Sequence, residues 1–284
     1  MYLYLLLAIA ALTITVQDIC KKKFNQKCND GAFFFGGMIA LFAMLFFSAV
    51  NRDWSYRAGQ LWYSFLFAVS YATTTICAVL AIKHGSLAKT SLIVSCSLLV
   101  PSVYGMIFLD EPVGFSLILG TVLLVISLVL INYEKDPTPT TWKWLLLVAF
   151  AFLGNGMCST VQKLQQTKFG ESGKNVFMIV ALAMVTAMLF GFSFLSRGEK
   201  GCHSTVFKKG ILWAALCGGL NGLCNYLVLY LNPHLPASVM FPVISAGSVV
   251  MVFLYATLFQ HEKFDWKQKI GYALGVVSIV LLNL

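Results

Sequence analysis

Ten apolar runs, each about as long as a bilayer is thick, divide this chain of 284 residues. They fall at 2–19, 31–50, 60–82, 87–109, 113–132, 143–163, 174–195, 210–231, 236–259 and 267–284, separated by short polar breaks. A membrane-crossing helix needs roughly 20 apolar residues. A backbone in lipid must satisfy its own polar groups, and these runs are too long and too uniformly apolar for barrel strands, so each reads as a helix. The chain is 59% hydrophobic and 11% charged, against about 25% charged in soluble domains. No soluble fold of this size covers that much apolar surface, so the net charge of +9 does not point to nucleic acid. The first run starts at once with Tyr2, Leu3 and Tyr4, and its charge follows at Lys21, Lys22 and Lys23. A secretory signal has the opposite order, and the run is read as a retained helix. The expectation is an all-α integral membrane protein with ten transmembrane helices, multi-pass in the plasma membrane, with the lipid bilayer as its first partner.

The chain also repeats itself. Thr15-Val16-Gln17 recurs as Thr160-Val161-Gln162, and Lys23-Phe24 as Lys168-Phe169 at the same offset. One residue of slippage later, Ala43-Met44-Leu45-Phe46 recurs as Ala187-Met188-Leu189-Phe190. From the third run on the offset settles at 151: Leu61-Trp62 matches Leu212-Trp213, Ser97 matches Ser248, Glu111 matches Glu262, Gly120 matches Gly271 and Ser127 matches Ser278. Single identities mean little in apolar sequence, but an ordered series is hard to reach by chance. Two five-helix repeats are expected, 1–133 and 143–284, joined by a loop over 134–142. Five is odd, so the second half enters the membrane upside down. Inverted repeats with a substrate site near the midplane are a recurring design of secondary transporters.

Ten helices as five plus five, a fourth run ending in Phe108-Leu109-Asp110-Glu111-Pro112 and a following helix with Gly120 resemble the drug/metabolite transporter superfamily, in particular its EamA-like branch. The resemblance spans nearly the whole chain, although its motif serves the scaffold. It implies a basket of helices around a central cavity lined mainly by helices one, three, four, six, eight and nine. It also implies a small-molecule cargo drawn from amino acids, nucleotide sugars, drugs, choline and other metabolites.

Polar residues at membrane depth are costly and face a bundle interior or a water-filled cavity. Ser70, Thr74 and Cys77 share one face of the third helix, and Gly218, Asn221, Gly222 and Asn225 one face of the eighth. The repeat maps Ser70 onto Asn221 and Thr74 onto Asn225. Both sets suit cavity lining or, alternatively, interhelical hydrogen bonding. Asn155 and Ser159 lie along the sixth helix with Gln162, whose repeat mate is Gln17. These two glutamines lie near helix ends, where an interfacial hydrogen bond and a ligand contact are equally suited; Asn155 is deeper. Tyr71 and Tyr104 offer aromatic walls or plain core packing, and Ser95 and Ser245 lie on the fourth and ninth helices beside Pro101 and Pro242.

Charge is nearly absent at depth. Asp18, at the end of the first helix, is expected to snorkel to the interface, with gating or coupling as the alternative. Lys89, at the mouth of the fourth, is an interfacial lysine or an attractor of anionic substrate. Glu111 and Glu262 suit the N-termini of helices five and ten. A multidrug exporter of the same superfamily would need a deep carboxylate in the first helix, which this chain lacks. No cofactor, metal site or catalytic constellation is expected: the cysteines lack close pairing, and neither a Walker A nor a dinucleotide-binding glycine pattern occurs. The expected function is therefore secondary transport of a small polar metabolite, amino-acid-like or otherwise zwitterionic or uncharged, by alternating access. A multidrug or cation exporter is the rival within the class. A membrane scaffold or sensor is the rival outside it, with Gly271 and Gly275 as a homodimer stripe. Fifteen Lys and Arg fall in or beside the loops after the odd-numbered helices and five after the even ones. The positive-inside rule then puts both termini outside, whereas the family resemblance implies both inside.

Overall fold

Each apolar run seeds a helix, and several helices continue past the apolar residues into polar ones. The computed structural model describes residues 2–28, 30–84, 90, 93–94, 96–109, 114–131, 141–199, 201–259 and 265–282. Among them are ten α-helices: α1 (Tyr2–Lys27), α2 (Ala32–Val50), α3 (Ala58–His84), α4 (Leu99–Phe108), α5 (Phe115–Ile131), α6 (Trp142–Phe169), α7 (Lys174–Leu195), α8 (His203–Leu231), α9 (Ala237–Phe259) and α10 (Trp266–Leu282). No strand occurs among the described residues. The protein is an all-α integral membrane protein.

Six of these helices, α1, α2, α3, α6, α7 and α8, are long and apolar enough to cross a membrane. Of the others, α4, α5 and α10 have 17 residues or fewer and α9 has 23; length and composition of the described residues establish six spans, fewer than the expected ten. α5 and α10 have 17 residues each, the lower edge of the crossing range. α4 has only ten. It begins after a 3₁₀ turn at Cys96–Leu98 and carries Pro101 in its first turn, where the missing N–H has no helical partner to lose. The opposite deviation occurs at α1, α6 and α8, which outrun their apolar segments by up to two turns because hydropathy reads the membrane, not the helix. Pro242 is accommodated inside α9 without a break.

Packing follows the repeat. α1 packs on α8 and α6 on α3; α2 packs on α8 and α7 on α3; α1 packs on α9 and α6 on α4. Each of these pairs becomes its partner when the halves are exchanged. Three self-related contacts, α2 with α7, α5 with α10 and α4 with α9, are also present. At the second of them Ser127 Oγ donates to Gly271 O at 2.6 Å and Ser278 Oγ donates to Gly120 O at 2.9 Å. These are repeat mates bonding reciprocally, the signature of a two-fold axis. A Cβ on Gly275 would stand 3.0 Å from Ser127 Oγ, so the Gly271–Gly275 stripe, expected at a homodimer, is occupied by α5 of the same chain.

The ends of α2 and α7 are tied across the repeats. Both helices start from glycines with positive φ, Gly31 at 90° and Gly173 at 70°, where an L side chain is strained. The carboxylate of Glu199, 2% exposed, accepts from Phe33 N (2.8 Å) and Phe34 N (3.2 Å) at the start of α2 and from Ser193 Oγ. Gln60 Nε2 donates to Ser172 O at 2.9 Å just ahead of α7.

Candidate functional site

A cavity of about 420 Å³ lies among α1, α3, α6, α8 and α9, with Val94 contributing from ahead of α4. Its size falls at the small end of the range typical of ligand sites, roughly 300–1,000 Å³. The lining is mixed: Phe67, Tyr71 and Phe241 supply aromatic surface, Thr74, Thr75, Ser159, Ser245 and Ser248 supply hydroxyls, and Gln17, Asn155, Gln162, Asn221 and Asn225 supply amides.

Four of the amides form a chain across three helices. Gln162 Nε2 on α6 donates to Asn225 Oδ1 at 2.7 Å. Asn225 Nδ2 donates to Asn221 Oδ1 at 3.2 Å and to Asn221 O at 2.8 Å, both on α8. Asn221 Nδ2 donates to Gln17 Oε1 on α1 at 3.3 Å. The donors all point one way, so the chain ends in a donor, the Gln17 amide N–H₂, at one pole and an acceptor, the Gln162 carbonyl, at the other. Asn155 Nδ2 is separately anchored by Ser97 Oγ at 2.6 Å.

Ten of the fourteen residues expected from sequence line this cavity: Asn155, Ser159, Asn221, Asn225, Thr74, Tyr71, Ser245, Gln17, Asp18 and Gln162. Gln17 and Gln162 lie in its wall and hydrogen-bond across helices, and α1 and α6 run on for about two to three turns beyond them. Asp18 is at the cavity edge, paired with Lys21. Ser70 is not in the lining. Its carbonyl accepts from Thr74 Oγ1 at 2.9 Å and would stand 2.8 Å from a Cβ on Gly154, so it belongs to the α3–α6 crossing. Its mate Asn221 lines the cavity and donates to Gln17 on α1. Tyr104 is also absent from the lining; its ring stacks on Phe108 with centroids 4.8 Å apart. Ser95 and Lys89, like Glu111 and Glu262, lie outside the described residues.

Sequence reading passed over Lys21, Phe67, Thr75, Cys158 and Cys224, all of which line the cavity. Helical spacing would have found most of them: Cys158 is three residues from Asn155, Cys224 three from Asn221, and Lys21 four from Gln17. No group of three or more metal-ligating side chains occurs among the described residues. One turn beyond Gln162 the end of α6 is fastened to α8 and the chain after it: Gln166 Nε2 donates to Leu229 O at 2.5 Å, and Lys163 Nζ donates to Asn232 O at 2.8 Å and Leu235 O at 3.1 Å. A second hollow of about 590 Å³ is lined by residues that include Arg52, Asp53, Glu171 and Lys174, where α2 ends and α7 begins. None of the expected site residues lines it.

The family model described as EamA-like transporter family matches residues 1–133. A solved structure described only as "Crystal structure of protein" superposes with a TM-score of 0.78 at 12% sequence identity, covering 99% of this chain and 96% of that one. At that identity the likeness concerns the fold alone. No curated protein matches the sequence.

Proposed function

Residues 1–133 belong to the EamA-like transporter family, within the drug/metabolite transporter superfamily, and on that premise we propose that the protein moves a small polar metabolite, zwitterionic or uncharged, across the plasma membrane by alternating access. The observation that carries this is the amide chain from Gln162 through Asn225 and Asn221 to Gln17. Amides at membrane depth are costly, and four of them in one cavity wall present donors and acceptors without net charge. Hydroxyls of Thr74, Ser159 and Ser245 widen the choice of hydrogen bonds, and Phe67, Tyr71 and Phe241 supply apolar walls for the rest of the solute.

The inverted repeat supports alternating access. The end of α6 is fastened to α8 and the chain after it by Gln166 and Lys163, and the α1 side is where Asp18 and Lys21 are half-exposed. Exchange of the two halves' conformations would reverse which end is open. A multidrug exporter would present a buried carboxylate to its cation; here the lining carboxylate among the described residues, Asp18, sits beside a lysine.

The test is a thermal-shift screen of the purified protein against amino acids, nucleosides, sugars, polyamines and quaternary amines. A ligand at a hundredfold excess over its Kd stabilises the folded state by about 2.7 kcal/mol. A saturable shift from zwitterionic or neutral solutes, lost in Asn221→Ala and Asn225→Ala, is the expected result. A shift confined to lipophilic or quaternary cations, indifferent to both substitutions, would replace this function with drug export.

A further inference from the structure

Asp18 and Lys21 are the only charged side chains lining the cavity among the described residues. They stand one helical turn apart on α1, with Lys21 Nζ 3.1 Å from Asp18 Oδ1 and about half of each side chain exposed. The repeat provides an internal control for what these positions do when they serve only the scaffold. By the offset that relates Gln17 to Gln162, Asp18 corresponds to Lys163 and Lys21 to Gln166. In the second half both are committed to main-chain carbonyls: Lys163 to Asn232 and Leu235, Gln166 to Leu229. They fasten α6 to the last turn of α8 and the chain that follows it. In the first half the same two positions carry opposite charges, bond to each other, and face the cavity.

We propose that Asp18 and Lys21 read the charges of a zwitterionic substrate, the carboxylate of an α-amino acid taking Lys21 and its ammonium taking Asp18, resting on the transporter function proposed above. An exposed pair one turn apart holds weakly. A ligand with both charges on neighbouring atoms replaces it without leaving either residue unpaired, and its side chain then reaches the amide and aromatic lining beyond. A cation occupies Asp18 and strands Lys21; an anion does the reverse. With a ligand seated over the pair and shielding it from water, each mismatch leaves a charge that is neither paired nor hydrated, and that penalty, rather than added attraction, excludes the wrong solute.

The full-length protein in proteoliposomes, offered a labelled mixture of the twenty proteinogenic amino acids, tests this by competition. The competitors are the corresponding unlabelled amino acids, amino alcohols (cations) and N-acetyl amino acids (anions). Wild-type uptake should yield to the amino acids and resist the other two classes. Loss of one charge-assisted contact should weaken amino-acid competition about tenfold or more. Asp18→Asn should at the same time become sensitive to the N-acetyl acids, and Lys21→Gln to the amino alcohols. A merely structural pair would change the amount of uptake and leave this pattern of inhibition alone. The proposal is overturned if both variants keep the wild-type order of competitors, even when Asn225→Ala abolishes uptake; the cavity would then stand and the pair would be a surface ion pair. It is overturned equally if the wild type takes up no amino acid, in which case the thermal-shift response of Asn225→Ala to the other solute classes decides the cavity's function separately.

Discussion

Asn225 occupies the middle of the amide chain, accepting from Gln162 and donating to Asn221. Asn225→Ala should cost only about 0.6–2 kcal/mol, the usual value of interhelical polar contacts in membranes, while transport falls about tenfold or more as substrate meets broken donors and acceptors. Melting temperature and proteoliposome uptake, measured on the same preparation, separate the two effects. Glu199 is the opposite case. Its carboxylate serves the backbone at the start of α2, so Glu199→Ala should lower stability by about 1–2 kcal/mol through the lost cap. Transport per folded molecule should be unchanged. Near it Cys202 donates to Glu199 O at 3.0 Å. Burial, reinforced by the charges of Glu199 and Asp30, raises the Cys202 thiol above its usual range. A raised pKa means less thiolate at neutral pH. Maleimide labelling of Cys202 should therefore be slow at pH 7 and accelerate as pH rises, later than for an unhindered thiol.

At the scale of elements, glycine placement sets which helices touch. A Cβ on Gly218 would stand 2.6 Å from Ile39 O and 2.5 Å from Phe42 Cβ, so α2 and α8 meet nearly backbone to backbone. Gly218→Val should destabilise by about 1–3 kcal/mol through overpacking. Gly191→Ala on α7, where nothing lies within 4 Å, should be neutral or stabilising by up to about 1 kcal/mol through helix propensity. Thermal unfolding in detergent, with both variants side by side, checks the contrast. The repeat predicts a further equality: Ser127→Ala and Ser278→Ala remove equivalent bonds at the α5–α10 crossing and should lower stability by similar amounts. Unequal losses would mean that the crossing is not shared evenly by the halves.

The whole molecule is nearly symmetric under exchange of its halves, so the helical packing gives it no preferred way up in the bilayer. Loop charge must decide. Fifteen lysines and arginines fall in or beside the loops after the odd-numbered helices and five after the even ones, and the positive-inside rule therefore predicts the Asp18–Lys21 side in the cytoplasm and both termini outside. A C-terminal reporter active only in the cytoplasm should then be dark; a bright one would give the chain the orientation that the family resemblance implies.

Helix identity, the repeat and the polar face of α8 were legible in the amino-acid order alone. Hydropathy and spacing are local properties, and a buried amide in an apolar run is conspicuous wherever it falls. Glu111, Glu262, Ser95 and Lys89 lie outside the described residues, so their roles rest on sequence alone. Tertiary structure decided what depends on which helices meet. It put Ser70 in a crossing, where Gly154 brings α6 close to its carbonyl, and its mate Asn221 in a cavity. It gave α1 and α6 their polar extensions, since helical hydrogen bonding does not stop where hydropathy does. It also turned one set of equivalent positions into a lock, Lys163 and Gln166, and the other into an open charged pair, Asp18 and Lys21. A sequence records that those residues differ; only the carbonyls at the end of α8 show what the difference does.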